Sequence, residues 1–157
     1  MMRLGLWIAT TVTVLDQAIK WWLLKHALAG PEAFQPLTPF LSLVRVWNRG
    51  ISFGILGGEN ALAPMTLIFL AFSAAFFFIV WLGRTRRPWI GWGLGLVIGG
   101  AFANAVDRMR YGAVLDFLDF HAFGYHWPAF NLADAAITVG VGLILIDALL
   151  ERRKLPT

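Results

Sequence analysis

The stretch LAPMTLIFLAFSAAFFFIVWL, residues 62–82, carries no charged side chain. A helix needs about 20 apolar residues to cross the hydrocarbon core of a bilayer, so this stretch predicts a transmembrane helix. The whole chain of 157 residues is 59% hydrophobic and has a mean hydropathy of +0.69. Soluble domains contain roughly 45–50% apolar residues. A soluble fold of this size could not bury the excess, which predicts a polytopic membrane protein.

Three further apolar segments have similar lengths, at 4–24, 89–106 and 131–149. Together they predict one membrane domain over residues 1–157, all-α, with four transmembrane helices. The third of these four spans contains five glycines, which permit close contact between helices in lipid. These are Gly91, Gly93, Gly95, Gly99 and Gly100.

Basic residues set the expected orientation. Arg3 precedes the first span, Arg84, Arg86 and Arg87 join the second to the third, and residues 152–154 follow the fourth. The positive-inside rule then predicts cytoplasmic termini, with residues 25–61 and 107–130 outside the cell membrane. Because the net charge of +4 is concentrated beside apolar segments, we expect lipid rather than nucleic acid as the partner.

The first outer segment is expected to contain a strand. Residues 40–47, FLSLVRVW, are rich in β-branched and aromatic side chains and alternate in part, and Asn48-Arg-Gly50 then breaks the pattern. This predicts a small extracytoplasmic sheet lying on the membrane.

Two carboxyl groups stand at the boundary of apolar sequence. Asp116 lies in Val114-Leu-Asp-Phe117, and Asp134 lies where the fourth span begins. Two neighbouring carboxyls can divide the roles of acid and base, because their like charges keep one of them protonated. Spacing alone leaves Asp107 or Asp119 as possible partners of Asp134. Asp147 is interpreted as a solvated helix end on the inner side.

Other polar residues have both a structural and a functional interpretation. Asp16 and Lys20 are four apart on one helix face, so a structural ion pair is favoured over groups that face a catalytic cavity. Asn48 could end a turn or hold a substrate backbone. Asn104 and Arg108 share a face of the third span, and Asp107 is expected to cap or pair locally.

Several other chemistries are disfavoured. The chain has no Cys, and its three His residues lack the spacing of a metal site, so no metal or other cofactor is expected. Ser52 with Lys20 could form an activated Ser–Lys pair, which is the weaker competitor of the carboxyl pair.

Five motifs, in order along nearly the whole chain, resemble the lipoprotein signal peptidase (signal peptidase II) family of bacterial inner membranes. They are Asp16-Gln-Ala-Ile-Lys20, Asn48-Arg-Gly-Ile-Ser-Phe53, Gly99-Gly-Ala-Phe-Ala-Asn104 with Asp107-Arg108, Val114-Leu-Asp-Phe117 and Phe130-Asn-Leu-Ala-Asp134.

This resemblance implies an aspartyl endopeptidase whose catalytic pair is Asp116 and Asp134. It also implies supporting or substrate-binding roles for Asp16, Lys20, Asn48, Gly100, Asn104, Arg108 and Asn131. The implied substrates are prolipoproteins whose lipobox Cys carries diacylglycerol, cleaved just before that Cys. The family further implies four helices, a small periplasmic sheet, a periplasmic helix and inhibition by globomycin. We expect a monomer in the inner membrane, with its active site towards the periplasmic face.

Two alternatives come from other functional classes. A small transporter or proton channel could use intramembrane Asp and Lys as a relay, but it would need polar residues through the full membrane depth. The polar residues of this sequence are predicted to gather in the outer half, which favours the enzyme. A structural assembly protein would leave the two acids unexplained.

Overall fold

The computed structural model describes residues 1–30, 33–50 and 62–152. The elements follow in the order α1 (Met2–Lys25), β1 (Phe34–Thr38), β2 (Leu41–Asn48), α2 (Leu62–Arg84), α3 (Pro88–Tyr111), β3 (Val114–Ala122), β4 (Tyr125–His126) and α4 (Leu132–Arg152).

Three of the four helices are long and apolar enough to cross a membrane. They are Met65–Arg84 within α2, Pro88–Tyr111 and Leu132–Glu151 within α4. The remaining helix, α1, is 24 residues long but carries Asp16 and Lys20 in its second half. The predicted all-α membrane fold is thus confirmed for three apolar helices, and a fourth span stays a prediction.

The helix α3 is the centre of the bundle and packs against α1, α2 and α4. Its glycines allow this close approach. A methyl group at Gly99 would come within 2.6 Å of the Ala9 carbonyl oxygen on α1. On the other side, a methyl group at Gly140 of α4 would lie 2.6 Å from the carbonyl oxygen of Gly93. The predicted close helix contacts of the glycine-rich segment are therefore confirmed.

The chain leaves α3 through a left-handed turn and enters the sheet. Gly112 closes the helix with φ of 71°, a conformation that costs glycine little because it has no Cβ. Two residues later β3 begins, so the end of the central helix fixes where this strand starts. Residues 107–130 therefore contain the end of a helix and half of the sheet.

The sheet has four antiparallel strands in the order β1-β2-β3-β4. The predicted strand at 40–47 is confirmed by β2, whose Val46 and Asn48 pair with Asp116 and Val114 of β3. Phe130 adds an isolated bridge to Leu118, which ties the start of α4 to β3. The described part of the chain contains no fifth helix, so the implied periplasmic helix stays a prediction.

The opposite end of the bundle corrects one expectation. Asp147 is only 7% exposed, and its Oδ2 lies 2.8 Å from Nη2 of Arg87 at the start of α3. Its interpretation as a solvated helix end is wrong, because the guanidinium of another helix covers it. Arg87 also pairs with Glu151.

Candidate active site

Asp116 is the third residue of β3 and is 2% exposed. Its carboxylate accepts two hydrogen bonds from side-chain amides. Asn131 Nδ2 donates to Oδ1 at 2.6 Å, and Asn48 Nδ2 donates to Oδ2 at 3.0 Å. Asn48 reaches this position because it ends β2, the strand paired with β3. Asp116 is therefore fixed by amide groups from two different parts of the chain.

Asp134 lies in the first turn of α4, where it takes part in the helix cap. Its backbone N–H donates to Asn131 Oδ1 at 2.9 Å, while the Asn131 N–H donates to Asp134 Oδ2 at 3.3 Å. These reciprocal bonds form a capping box built from Asn and Asp, and a negative charge is favourable at this end of a helix. Local helix chemistry thus orients the second carboxyl.

Asn104 of α3 and Asn131 connect the two aspartates. Asn104 Nδ2 donates to Asp134 Oδ1 at 2.8 Å, and Asn131 Nδ2 donates both to Asn104 Oδ1 at 3.2 Å and to Asp116. A continuous chain of amide hydrogen bonds therefore runs from Asp116 to Asp134. Of the partners that spacing left open for Asp134, the structure brings Asp116 to it.

The surroundings of Asp116 favour its protonated form. Burial is the largest cause, and the nearby charge of Asp134 adds to it; together they raise the pKa of Asp116 to about 7. The hydrogen bonds from Asn48 and Asn131 oppose the rise in pKa because they stabilise the charged form. A carboxyl that titrates near neutrality can act as a general acid or base in that range.

The other acidic candidates have different partners. Asp119 faces His126, whose Nδ1 lies 2.8 Å from Asp119 Oδ2. Asp107 contacts Lys20 and Gln17 of α1 at 2.7 Å each. The expectation that Asp107 caps or pairs locally accounts for only one of its contacts, the Leu115 N–H at 3.2 Å, because its other partners belong to a different helix.

Asp16 and Lys20 form the ion pair that the sequence favoured. Lys20 Nζ lies 2.8 Å from Asp16 Oδ2, and both side chains are buried. Neither residue lines the cleft described below. Gln17 was missed by sequence reasoning, although its position beside Asp16 in an apolar segment was a signal for a buried polar contact.

An open cleft of about 310 Å³ lies beside the carboxyl pair. Polar groups line one part of it, and small or apolar residues of α2, α3 and α4 line another. The lining residues are Asn48, Gly50, Ala71, Ala101, Asn104, Arg108, Val114, Asp134, Ile137 and Thr138. Asp134 thus meets the cleft directly, whereas Asp116 lies behind it, held by Asn48 of the cleft wall.

Arg108 and Gly100 complete the set of candidate residues. Arg108 Nη2 donates to the Gly50 carbonyl at 3.0 Å, which anchors the end of the β2 segment over α3. Gly100 faces Ala133 and Ile137, so its role is to let α4 approach α3. Ser52, the residue of the proposed Ser–Lys alternative, lies outside the described residues. Among those described, no group of three or more His, Asp or Glu residues could hold a metal ion.

Comparison with known proteins places this arrangement in a family. The sequence profile of signal peptidase (SPase) II matches residues 8–150. The chain belongs to the signal peptidase II family. It is 43% identical over 152 residues to the lipoprotein signal peptidase of Methylocella silvestris, covering 96% of this chain and 88% of that protein. It is 45% identical over 146 residues to that of Methylobacterium sp. (strain 4-46), with coverages of 92% and 87%.

Solved structures agree with this membership. Two bacterial membrane enzymes determined by the in meso method, at 2.3 and 1.9 Å resolution, have TM-scores of 0.79 and 0.74 with this fold. Their sequence identities are 28% and 29%, and they cover 98% and 92% of this chain and 92% of each of theirs. The prediction of a membrane peptidase of the signal peptidase II type is confirmed.

Proposed function

We propose that Asp116 and Asp134 are the catalytic pair of an aspartyl endopeptidase that releases signal peptides from diacylglyceryl-modified prolipoproteins, cutting just before the lipidated Cys. One observation carries the assignment of the residues. Two carboxyls on separate elements are joined by Asn104 and Asn131 at the edge of an open cleft. Family membership supports the reaction and its substrate class.

The proposed reaction is direct hydrolysis by water. The ionised member of the pair accepts a proton from water as the water oxygen bonds to the scissile carbonyl carbon. The protonated member donates its proton to the carbonyl oxygen, which gives a neutral tetrahedral intermediate. As the intermediate collapses and the C–N bond breaks, the carboxyl that took the proton from water gives it to the departing amine nitrogen. The other carboxylate takes a proton from a hydroxyl of the intermediate, which restores the starting pair. The pKa of about 7 for Asp116 makes it suited to hold the donated proton at the start.

The cleft supports a substrate that is partly peptide and partly membrane-embedded. Its polar groups, from Asn48, Asn104 and Arg108, can hold a peptide backbone, while Ala71 and Ile137 provide apolar walls. Because the polar part is small, acyl chains supply much of the binding. Each CH₂ transferred from water to lipid contributes about 0.8 kcal/mol, so two long chains hold the scissile bond at the membrane beside the cleft.

The proposed placement is in the bacterial inner membrane as a monomer with four spans and cytoplasmic termini. The charges of Asp16 and Lys20 neutralise each other inside the bundle, which makes α1 acceptable as the fourth span. The basic residues between α2 and α3 lie at the end of α3 opposite Asp116 and Asp134, which together are called the dyad. This supports an active site that faces the periplasm.

Thiol labelling tests the placement, since the chain has no Cys. Phe123→Cys, at the exposed tip of the β3–β4 turn, should react with an impermeant reagent added to intact cells. Arg86→Cys, in the segment between α2 and α3, should react only after the membrane is opened. Labelling of Arg86→Cys in intact cells would show that the orientation is the reverse of the proposed one.

The distribution of buried polar residues argues against a transporter. Of the buried polar side chains in the described residues, Asp147 is at the end of α4 away from the dyad, beside Arg87. The others belong to the sheet, the dyad or the adjoining part of α1 and α3. A relay for ions across the bilayer requires polar groups along its depth, which this arrangement does not supply.

Substrate cleavage tests the function. One peptide should be presented in the same detergent with and without its diacylglyceryl group, and with and without EDTA. Only the lipidated peptide should be cut, and chelation should leave the rate unchanged. Equal cleavage of the unlipidated peptide would indicate a general membrane protease. Loss of activity with EDTA that zinc restores would exclude the carboxyl pair as the sole catalyst.

A further inference from the structure

A buried three-residue charge cluster lies behind the dyad. Lys20 Nζ is 2.8 Å from Asp16 Oδ2 and 2.7 Å from Asp107 Oδ2, so one ammonium joins a carboxylate of its own helix to one of α3. The three side chains are exposed by 4%, 0% and 1% respectively. Removing three charges from water is costly, so their arrangement requires an explanation beyond mutual neutralisation.

Each carboxylate of this cluster also holds one backbone N–H. Asp16 Oδ1 accepts from the N–H of Ala133 at 3.0 Å, and Asp107 Oδ2 accepts from the N–H of Leu115 at 3.2 Å. Ala133 immediately precedes Asp134, and Leu115 immediately precedes Asp116. The cluster therefore binds the backbone N–H of the residue that immediately precedes each of the two aspartates.

In the described part of the chain, backbone-to-backbone hydrogen bonds join β3 to the start of α4 only on the side that follows Asp116. Between β3 and the start of α4, the backbone bonds pair Phe130 with Phe117 and Leu118, which follow Asp116. On the preceding side, the described connection runs from Leu115 through Asp107, Lys20 and Asp16 to Ala133. Without Lys20, two like-charged carboxylates would face each other in this path.

We propose that Lys20 is a positioning residue that sets the separation of the two catalytic aspartates by joining Asp16 to Asp107. This inference rests on the proposed function, because it concerns the same carboxyl pair. The pair works only while its members are close enough to divide one proton, and a misplacement of about 1 Å can reduce a rate by about 100-fold. Gln17 supports the arrangement by donating to Asp107 Oδ1 at 2.7 Å.

The test compares Lys20→Met with Lys25→Met, the same change five positions later on α1. Lys25 is exposed and its ammonium lies over the Trp21 ring, so its loss leaves the cluster intact. In Lys20→Met we expect kcat for the lipidated peptide to fall about 100-fold, with KM changed little because Lys20 does not line the cleft. Lys25→Met should match the original protein in both constants.

Amide hydrogen exchange provides a second readout that needs no activity. In Lys20→Met, the amides of Leu115 and Ala133 should exchange faster, while that of Leu118, which is bound to the Phe130 carbonyl, should keep its protection. Unchanged exchange at the first two amides would overturn the proposal. So would a normal kcat, or a raised KM with kcat retained, since the latter indicates a substrate-binding role.

A second variant covers the case in which Lys20→Met does not fold. Lys20→Met with Asp107→Asn removes one charge of each sign, and the introduced amide side chain retains a carbonyl oxygen for the Leu115 N–H. Reduced kcat in this folded variant would support the proposal, and an unchanged kcat would overturn it. If the original protein cuts no lipidated peptide, the proposed function fails, while the exchange of the two amides still decides the positioning role.

Discussion

Helices α2 and α3 are nearly equal in length, at 23 and 24 residues, but they differ in almost every other respect. In the spanning part of α2 only 17% of residues are buried, whereas the corresponding share in α3 is 67%. Phenylalanines such as Phe69 and Phe76 cover the exposed faces of α2. Glycines, Asn104 and Asp107 take their place on α3. The most apolar helix therefore meets lipid, and the less apolar one organises both the packing and the site.

The cleavage rate should show the largest contrast, between substitutions in the dyad and substitutions on the lipid-facing side of α2. Asp116→Asn or Asp134→Asn removes a group that transfers a proton, so cleavage of the lipidated peptide should fall by about 10²- to 10⁴-fold. Phe76→Leu, on the lipid-facing side of α2, should leave the rate unchanged. Asp119→Asn is the matched acidic control, because Asp119 pairs with His126 away from the dyad. Normal turnover by either dyad variant would remove the proposed mechanism.

Because α3 is packed more tightly than α2, a substitution on α3 should lower the unfolding free energy more than one on α2. Gly99→Leu places a side chain against the Ala9 carbonyl on α1, and overpacking of this kind costs about 1–3 kcal/mol of unfolding free energy. The Phe76→Leu change on α2 should stay within about 0.5 kcal/mol, because that side chain is 71% exposed. Unfolding of both variants in the same micelles measures the difference. Equal losses would show that burial does not distinguish the helices.

The pH dependence of the cleavage rate should change only when residues at the polar end of the bundle are substituted. Since the pKa of Asp116 is raised to about 7, its protonated fraction falls as pH rises through that value, and the rate should fall with it. Asn48→Ala removes a hydrogen bond that favours the charged form, which raises the pKa further. The descending limb of the rate profile should therefore move to higher pH, by about one unit. A shift in the opposite direction would assign this limb to another group.

The smallest effect is expected at the far end of the central helix. Asp147→Asn removes a charge that Arg87 partly covers, and Arg87 keeps its contact with Glu151. Because Arg87 is 36% exposed, solvent screens the pair, and the unfolding free energy should change by no more than about 1 kcal/mol. The cleavage rate should stay unchanged. A loss of activity in Asp147→Asn would show that the two ends of α3 are coupled. It would contradict the expectation that only the end beside the dyad affects cleavage.

Sequence patterns predicted the features that depend on local chemistry. Helices and the strand at 40–47 follow from apolar content and alternation, and Asp116 and Asp134 stood out because charges are costly beside apolar spans. The strand β3 was not predicted, since Asp116 and Asp119 interrupt its apolar pattern. The glycines predicted that helices approach closely, but which polar side chains pair between helices could not be predicted. The link from Lys20 to Asp107 and the cover of Asp147 by Arg87 both depend on how distant segments pack.

The position of Asp134 in the cap of α4 determines when the site can assemble during biosynthesis. Asp134 belongs to α4, the last of the described helices, and the residue before it is held by Asp16 of α1. Ribosomes make the N-terminal segments first, so Asp116 emerges while its partner is still missing. The proposed catalytic pair is complete only when α4 has entered the membrane and docked beside α1 and α3. If this pair is the catalyst, a chain that is still being inserted has no proteolytic activity until its folding is finished.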